Sequence, residues 1–159
     1  MHVRRYRPGE ERELWQLFFE TVRTVNVRDY TLEQVQAWAP DEIDEQRWRS
    51  RIQQNNPYVC VYRGEIVGFA DVQETGYIDH FFVHCRRQGR GVGTILFESL
   101  ESDARARGLS ELSSHVSITA RPFFESKGFV VEAEQEVSLG NVVLRNYRML
   151  KSLVNDRDL

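Results

Sequence analysis

Cysteine is scarce in this chain: of 159 residues only Cys60 and Cys85 are cysteine. They form no Cys-x-x-Cys pair and no metal-ligand spacing. A disulfide scaffold and a structural metal site are thereby excluded, and a reducing, cytoplasmic setting is the expectation. Proline is sparse too, at 4 residues, and no proline-, glycine- or serine-rich tract separates one part of the chain from another. No apolar run approaches the roughly 20 residues that cross a bilayer. The start, Met1-His2-Val3-Arg4-Arg5, lacks the apolar core of a secretory signal. A basic excess is missing as well: 21 Lys and Arg stand against 24 Asp and Glu, a net charge of −3. These absences argue against a membrane partner and against a broad nucleic-acid-binding face.

What is present is globular. Hydrophobic residues make up 41% and charged residues 28% of the chain, enough to bury one core, and the length suits a single domain over residues 1–159 with a loose tail at 155–159. His2 to Tyr6 alternates as a short strand. Glu10 to Val25 reads as a helix with Leu14, Leu17, Phe18 and Val22 on one face. Thr31 and Gln34 have capping-box spacing, so a second helix starts there, and Pro40 ends it. A third runs from Asp44 to Gln54. Tyr58 to Tyr62 and Ile66 to Gln73 pair across a tight turn at Arg63-Gly64-Glu65, with Gly68 as a bulge. Residues 77–83 form the next strand. A long helix follows to Gly108, then a strand over Leu112–Ile118, a short helix closed by Gly128, and a final antiparallel pair around Leu139-Gly140-Asn141. The fold class is mixed α/β (α+β): a mostly antiparallel central sheet with helices on both faces.

The stretch Arg86-Arg87-Gln88-Gly89-Arg90-Gly91-Val92-Gly93-Thr94 joins a strand to the long helix. Its glycines let the main chain close tightly, and several backbone N–H groups and the helix N-terminus then face one point. Arginines beside them repel one another without an anion. The pattern suits a diphosphate. A P-loop needs Gly-Lys-Ser/Thr, and here Gly93-Thr94-Ile95 stands instead. The dinucleotide fingerprint G-x-G-x-x-G fails because its third glycine comes one residue early.

Gln88-Gly89-Arg90-Gly91-Val92-Gly93 resembles the Gln/Arg-x-x-Gly-x-Gly/Ala motif of the GNAT superfamily of acyl-CoA-dependent N-acyltransferases. Downstream, Ser117 through Phe129 is similar to that superfamily's Asn-x-x-Ala-x-x-Phe-Tyr-x-x-x-Gly-Phe. The opening from Asp29-Tyr30-Thr31 to Ala37-Trp38-Ala39 resembles a bacterial, YafP-like branch. The resemblance implies an N-acetyltransferase fold whose central parallel strands splay apart, with acetyl-CoA as cosubstrate and no metal. It implies that main-chain groups of Phe81, Phe82 and Val83 hold the pantetheine arm. The loop from Gln88 through Gly89, Arg90, Gly91, Val92 and Gly93 to Thr94 would hold the diphosphate, and Ser117 and Phe124 would flank the cofactor. Tyr30, Trp38 and Tyr77 would wall the acceptor pocket. Pairing of late strands between two copies is common in the family, so a homodimer is an expectation.

Acetyl transfer from a thioester to an amine needs an uncharged nucleophile, and a free alkyl amine has a pKa of roughly 10. Asp79 and His80, on the strand that faces the acetyl group, are the candidate catalytic residues. An aspartate within an aromatic-apolar strand costs free energy unless it has a partner. His115 edges the same region. The chain departs from the family at Phe124, where a tyrosine often gives a proton to the leaving thiolate, and at Ser117, where asparagine is usual. The expected reaction is direct attack in a ternary complex on acetyl-CoA by a primary amine of a small molecule or peptide. Two other readings stay open: a non-catalytic acyl-CoA-binding sensor, and a nucleotide-binding domain of another kind.

Overall fold

The computed structural model describes residues 1–154; the tail expected at 155–159 lies outside the described residues. The elements are β1 (His2–Arg5), α1 (Glu11–Thr24), α2 (Leu32–Trp38), α3 (Glu45–Asn55), β2 (Tyr58–Tyr62), β3 (Glu65–Ala70), β4 (Tyr77–Ile78), β5 (Phe81–Val83), α4 (Val92–Ala106), β6 (Glu111–Ser117), α5 (Arg121–Ser126), β7 (Val130–Leu139) and β8 (Val142–Ser152). They build two four-stranded sheets, ordered β1-β2-β3-β5 and β4-β6-β8-β7. All pairings are antiparallel except β4 with β6. No helix among the described residues is long and apolar enough to cross a membrane.

Local chemistry accounts for the element ends. Thr31 accepts from the Gln34 amide, and Gln34 reaches back to the Thr31 amide, closing the capping box at the start of α2. Asp44 caps α3 through the Arg47 amide. The β2–β3 turn has Arg63 at φ 51° and Gly64 at φ 78°, the left-handed pair of a tight hairpin turn. The bulge lies beside Gly68: Cys60 pairs with Gly68 and Val61 with Ile66, leaving Val67 over.

Two apolar layers flank the sheets. Leu96, Phe97 and Leu100 of α4 pack with Val67, Ile78, Val116 and Phe124 on one side. On the other, Leu14, Phe18 and Val22 of α1 pack with Val35, Ile52, Val59 and Phe69. Helices therefore cover both faces, as the binary pattern requires.

The segment 77–83 is not the continuous strand expected from its apolar run. β4 belongs to one sheet and β5 to the other, and the chain changes sheet at Asp79–His80. Asp71 causes the break. Its carboxylate accepts the Asp79 amide at 3.0 Å and the His80 amide at 2.8 Å, so those amides leave the ladder. β3 accordingly ends at Ala70 rather than Gln73. The alternation that put Asp79 on one face with Phe81 and Val83 does not hold across this break.

Candidate active site

The break opens a gap. β4 pairs with β6 only at Tyr77–Ser113 and Ile78–Ser114, after which β5 turns to β3 and β6 stays with β8. Asp71 donates its amide to the His80 carbonyl, and His84 donates to the Val67 carbonyl. With Phe82 opposite Phe69 between them, the antiparallel alternation places the Phe82 amide in the ladder and turns those of Phe81 and Val83 toward the gap. The Val83 carbonyl is on the gap side too, where it accepts from Thr21 Oγ1 at 3.1 Å and Gln88 Nε2 at 2.8 Å. A cavity of about 710 Å³ runs through this gap.

One end of the cavity is the glycine loop. Gly89 and Gly91 have φ of 69° and 84°, left-handed conformations that glycine adopts without a Cβ clash. Gly91 is the N-cap of α4, no side chain caps it, and the first turn carries no acidic residue. The first internal helix bond is Ile95 to Gly91, so the amides before it face outward. Gln88, Gly89, Gly91, Val92, Gly93 and Thr94 all line the cavity. Arg90 does not; it is exposed to solvent beside it. At Gly93 a Cβ would lie 3.0 Å from the Phe123 ring, so glycine lets α4 and α5 close together. Thr94 Oγ1 accepts from Lys127 Nζ at 3.0 Å.

The middle is lined by Phe81, Val83, Ser117 and Phe124. Ser117 Oγ accepts the Ala120 amide at 3.0 Å, starting the turn into α5. Phe124 is buried, its ring edge-on to Phe81 and Phe129.

The far end is aromatic. Phe82, on the opposite side of β5, packs edge-on against Phe18 and Trp38. Trp48 and Phe69 complete a nest around the His80 ring. Tyr30 uses its hydroxyl on the main chain, donating to the Arg145 carbonyl at 2.5 Å and accepting the Ile118 amide at 3.0 Å. Only its ring is left for the cavity. Tyr77 stands edge-on to His115, at 5.4 Å between ring centroids, and both line the cavity.

Asp79 and His80 come together here with three residues that pattern reading of the sequence did not single out: Arg51, Asn55 and Asp71. Arg51 holds Asp79 in a two-pronged pair, at 2.7 Å from Nε to Oδ2 and 2.6 Å from Nη2 to Oδ1, and Asn55 adds a bond to Oδ2 at 2.7 Å. Burial works to raise the Asp79 carboxyl, but the Arg51 bonds and nearby positive charge bring it below the usual carboxylate range. His80 is buried, and desolvation lowers it to about 4. Asp71 has no exposed surface, and burial raises it to about 7 against the two amides that favour its charge. Asp71, Asp79 and His80 offer ligand atoms within 4.8 Å of one another, but Arg51 and Asn55 already occupy the Asp79 oxygens. The sequence signal for Asp71 was the one used for Asp79, an acid inside an apolar stretch, here Phe69-Ala70-Asp71-Val72. Arg51 and Asn55 sit one turn apart on α3 and carry no motif.

The site is thus an uncapped helix start behind a glycine loop, opening into a gap between splayed strands. Residues 26–151 match the acetyltransferase (GNAT) domain family. The chain belongs to the GNAT family of acetyltransferases. The uncharacterized N-acetyltransferase YafP of Escherichia coli K12 is 33% identical over 149 residues, 94% of either chain. A GCN5-related N-acetyltransferase structure from Rhodopseudomonas palustris superposes with a TM-score of 0.91 at 33% identity, covering 96% of this chain and 95% of that one. The fold is shared also with the PaiA N-acetyltransferase of Thermoplasma acidophilum in complex with coenzyme A, at a TM-score of 0.72 and 15% identity over 95% of this chain and 98% of that one.

Proposed function

We propose that this GNAT protein is an N-acetyltransferase that moves the acetyl group of acetyl-CoA to a primary amine of a small molecule or peptide by direct attack in a ternary complex. The observation that carries the reading is the open N-terminus of α4, with its glycine loop at one end of a cavity and an aromatic, titratable compartment at the other. The diphosphate sits on the loop amides and the helix dipole. The pantetheine arm lies along the gap-facing main chain of Phe81 and Val83, and the acetyl group comes to rest near Phe82. A gap-facing amide there polarises the thioester carbonyl.

Trp38, Tyr30 and Tyr77 wall the acceptor. Asp79, held ionised by Arg51, forms with it an ion pair in the wall of the acceptor compartment. His80 is neutral at pH 7 and free to take its proton. Direct attack fits the absence of a thiol from the lining among the described residues: Cys60 is buried in the core and Cys85 lies outside the cavity. Acyl relay through cysteine has no sulfur in place.

Calorimetric titration with acetyl-CoA, CoA, NAD and ATP in parallel tests this. Binding of the first two alone is expected. Gly91→Asp, which places a carboxylate where the diphosphate would lie, is expected to abolish it; unchanged affinity in that variant would overturn the loop's role. Binding without turnover over a broad amine panel would turn the reading to an acyl-CoA sensor.

A further inference from the structure

We propose that Asp71 is the positioning residue for His80: it faces the ring at Nδ1 and so leaves Nε2 as the proton acceptor for the incoming amine. The proposal rests on the acetyl-transfer reading above.

His80 Nδ1 is sealed from solvent and has no hydrogen-bond partner among the described residues. It lies 3.8 Å from Asp71 Oδ2 and 3.8 Å from Asp79 Oδ2. A lone pair aimed at two carboxylates would be repelled, so the proton belongs on Nδ1 and the lone pair on Nε2. The residue stands in the cavity wall, with 4% of its surface exposed. The ring therefore bridges the cavity and a buried acid.

Asp71 rather than Asp79 is the acid that answers Nδ1. Asp79 Oδ2 already accepts from Arg51 Nε and Asn55 Nδ2, which uses both of its lone pairs. Among the described residues Asp71 Oδ2 accepts only the His80 amide and keeps one. The separation is about 1 Å longer than a hydrogen bond. It shortens when the ring gains a proton and becomes a cation beside a carboxylate. The same acid fixes the main chain of His80, so ring and backbone are set by one side chain. The charged and titratable groups facing the pair are Asp79 from the β4–β5 link, Arg51 from α3 and Tyr77 from β4. Asp79 and Arg51 are bonded to each other and largely offset.

In the transfer, the amine nitrogen bonds to the thioester carbon, and the C=O electron pair moves to oxygen. An N–H proton passes to His80 Nε2, giving an imidazolium balanced by ionised Asp71. The oxygen pair returns, the C–S bond breaks, and the thiolate leaves with its electrons. The proton on His80 then goes to the thiolate or to solvent, restoring the neutral ring.

The test is nitrogen NMR of the histidine-labelled protein, with His80 assigned by loss of its signals in His80→Gln, beside thiol-release kinetics over a panel of alkyl and aryl amines. Above pH 7, where Asp71 is ionised, the expected neutral form of His80 is the Nδ1–H tautomer. Asp71→Asn removes the carboxylate that answers Nδ1, so the Nδ1–H tautomer is expected to lose its preference there, with kcat lower by roughly 10²-fold or more and acetyl-CoA still bound. The base works beside ionised Asp71, so kcat/KM of the parent should rise with pH through about 7, the position of the Asp71 carboxyl, and the variant should lack that limb. An Nε2–H tautomer in the parent, or an Asp71→Asn protein with the parent's tautomer and pH limb, overturns the proposal. The parent tautomer decides the matter even if Asp71→Asn does not fold. Absent acetyl-CoA binding overturns the transferase reading instead, whatever the tautomer.

Discussion

Asp71 and His80 are displaced from their ordinary titrations by the same burial, in directions that oppose each other in stability. Asp71 binds its proton more tightly folded than unfolded, from 3.8 up to about 7. Its contribution is full below pH 3.8 and is lost as pH rises to about 7. His80 is depressed from 6.5 to about 4, so its contribution is full above pH 6.5 and is lost as pH falls to about 4. In the parent the two slopes largely cancel. Asp71→Asn should therefore give a protein whose stability climbs from pH 4 to pH 6.5, and His80→Gln one whose stability falls over much of that range. Urea unfolding at a series of pH values measures both slopes; equal slopes in the two variants would contradict the burial of either group. At this scale the sequence was half legible. Asp79 stood out because a carboxylate in an apolar run needs a partner, and His80 entered as its neighbour on the expected strand. Their partners did not, because Arg51, Asn55 and Asp71 meet them only across α3 and the β3–β4 loop.

At the scale of elements, the contact of α4 with β3 is tightly constrained. A Cβ on Gly68 would lie 2.8 Å from Val92 Cγ1, 2.9 Å from Leu96 Cδ1 and 3.1 Å from the Phe82 carbonyl oxygen. All three are fixed by the core or the ladder. Gly68→Ala should cost on the order of 1–3 kcal/mol by overpacking. Because Val92 opens α4, it should also shift the glycine loop and weaken acetyl-CoA binding. Thermal melting and calorimetry read the two effects; a variant with the parent's melting temperature would show that helix and sheet can part there without cost. Elements whose ends are set by neighbours in sequence were legible: the Thr31–Gln34 box, the Arg63-Gly64 turn and the helix stop at Gly108 are all in place. The strand over 77–83 was not. Its apolar run is the same whether it pairs once or twice, and the break depends on a carboxylate several residues upstream.

For the molecule as a whole, the cavity lies between two sheets that share no strand pairing among the described residues, with the glycine loop at one end and α1 to α3 at the other. A ligand filling that gap bridges both layers, so it should stabilise the whole chain. At a hundredfold excess over Kd, acetyl-CoA should add about 2.7 kcal/mol. For a protein of this size that raises the melting temperature by roughly 5–10 °C. A scanning melt with and without acetyl-CoA checks this. A shift no larger than that from ATP at equal concentration would count against a CoA-shaped gap.

The sequence by itself determined which segments become helix or strand, that helices cover both sheet faces, and that a glycine loop opens α4. Those depend on local capping, turn glycines and apolar periodicity, all of which act within a few residues. The tertiary structure alone decided where the sheet divides, which amides of β5 face the gap, and which acids meet His80. Those depend on groups far apart in the chain. Burial gives them their strength, and burial exists only once the layers have closed.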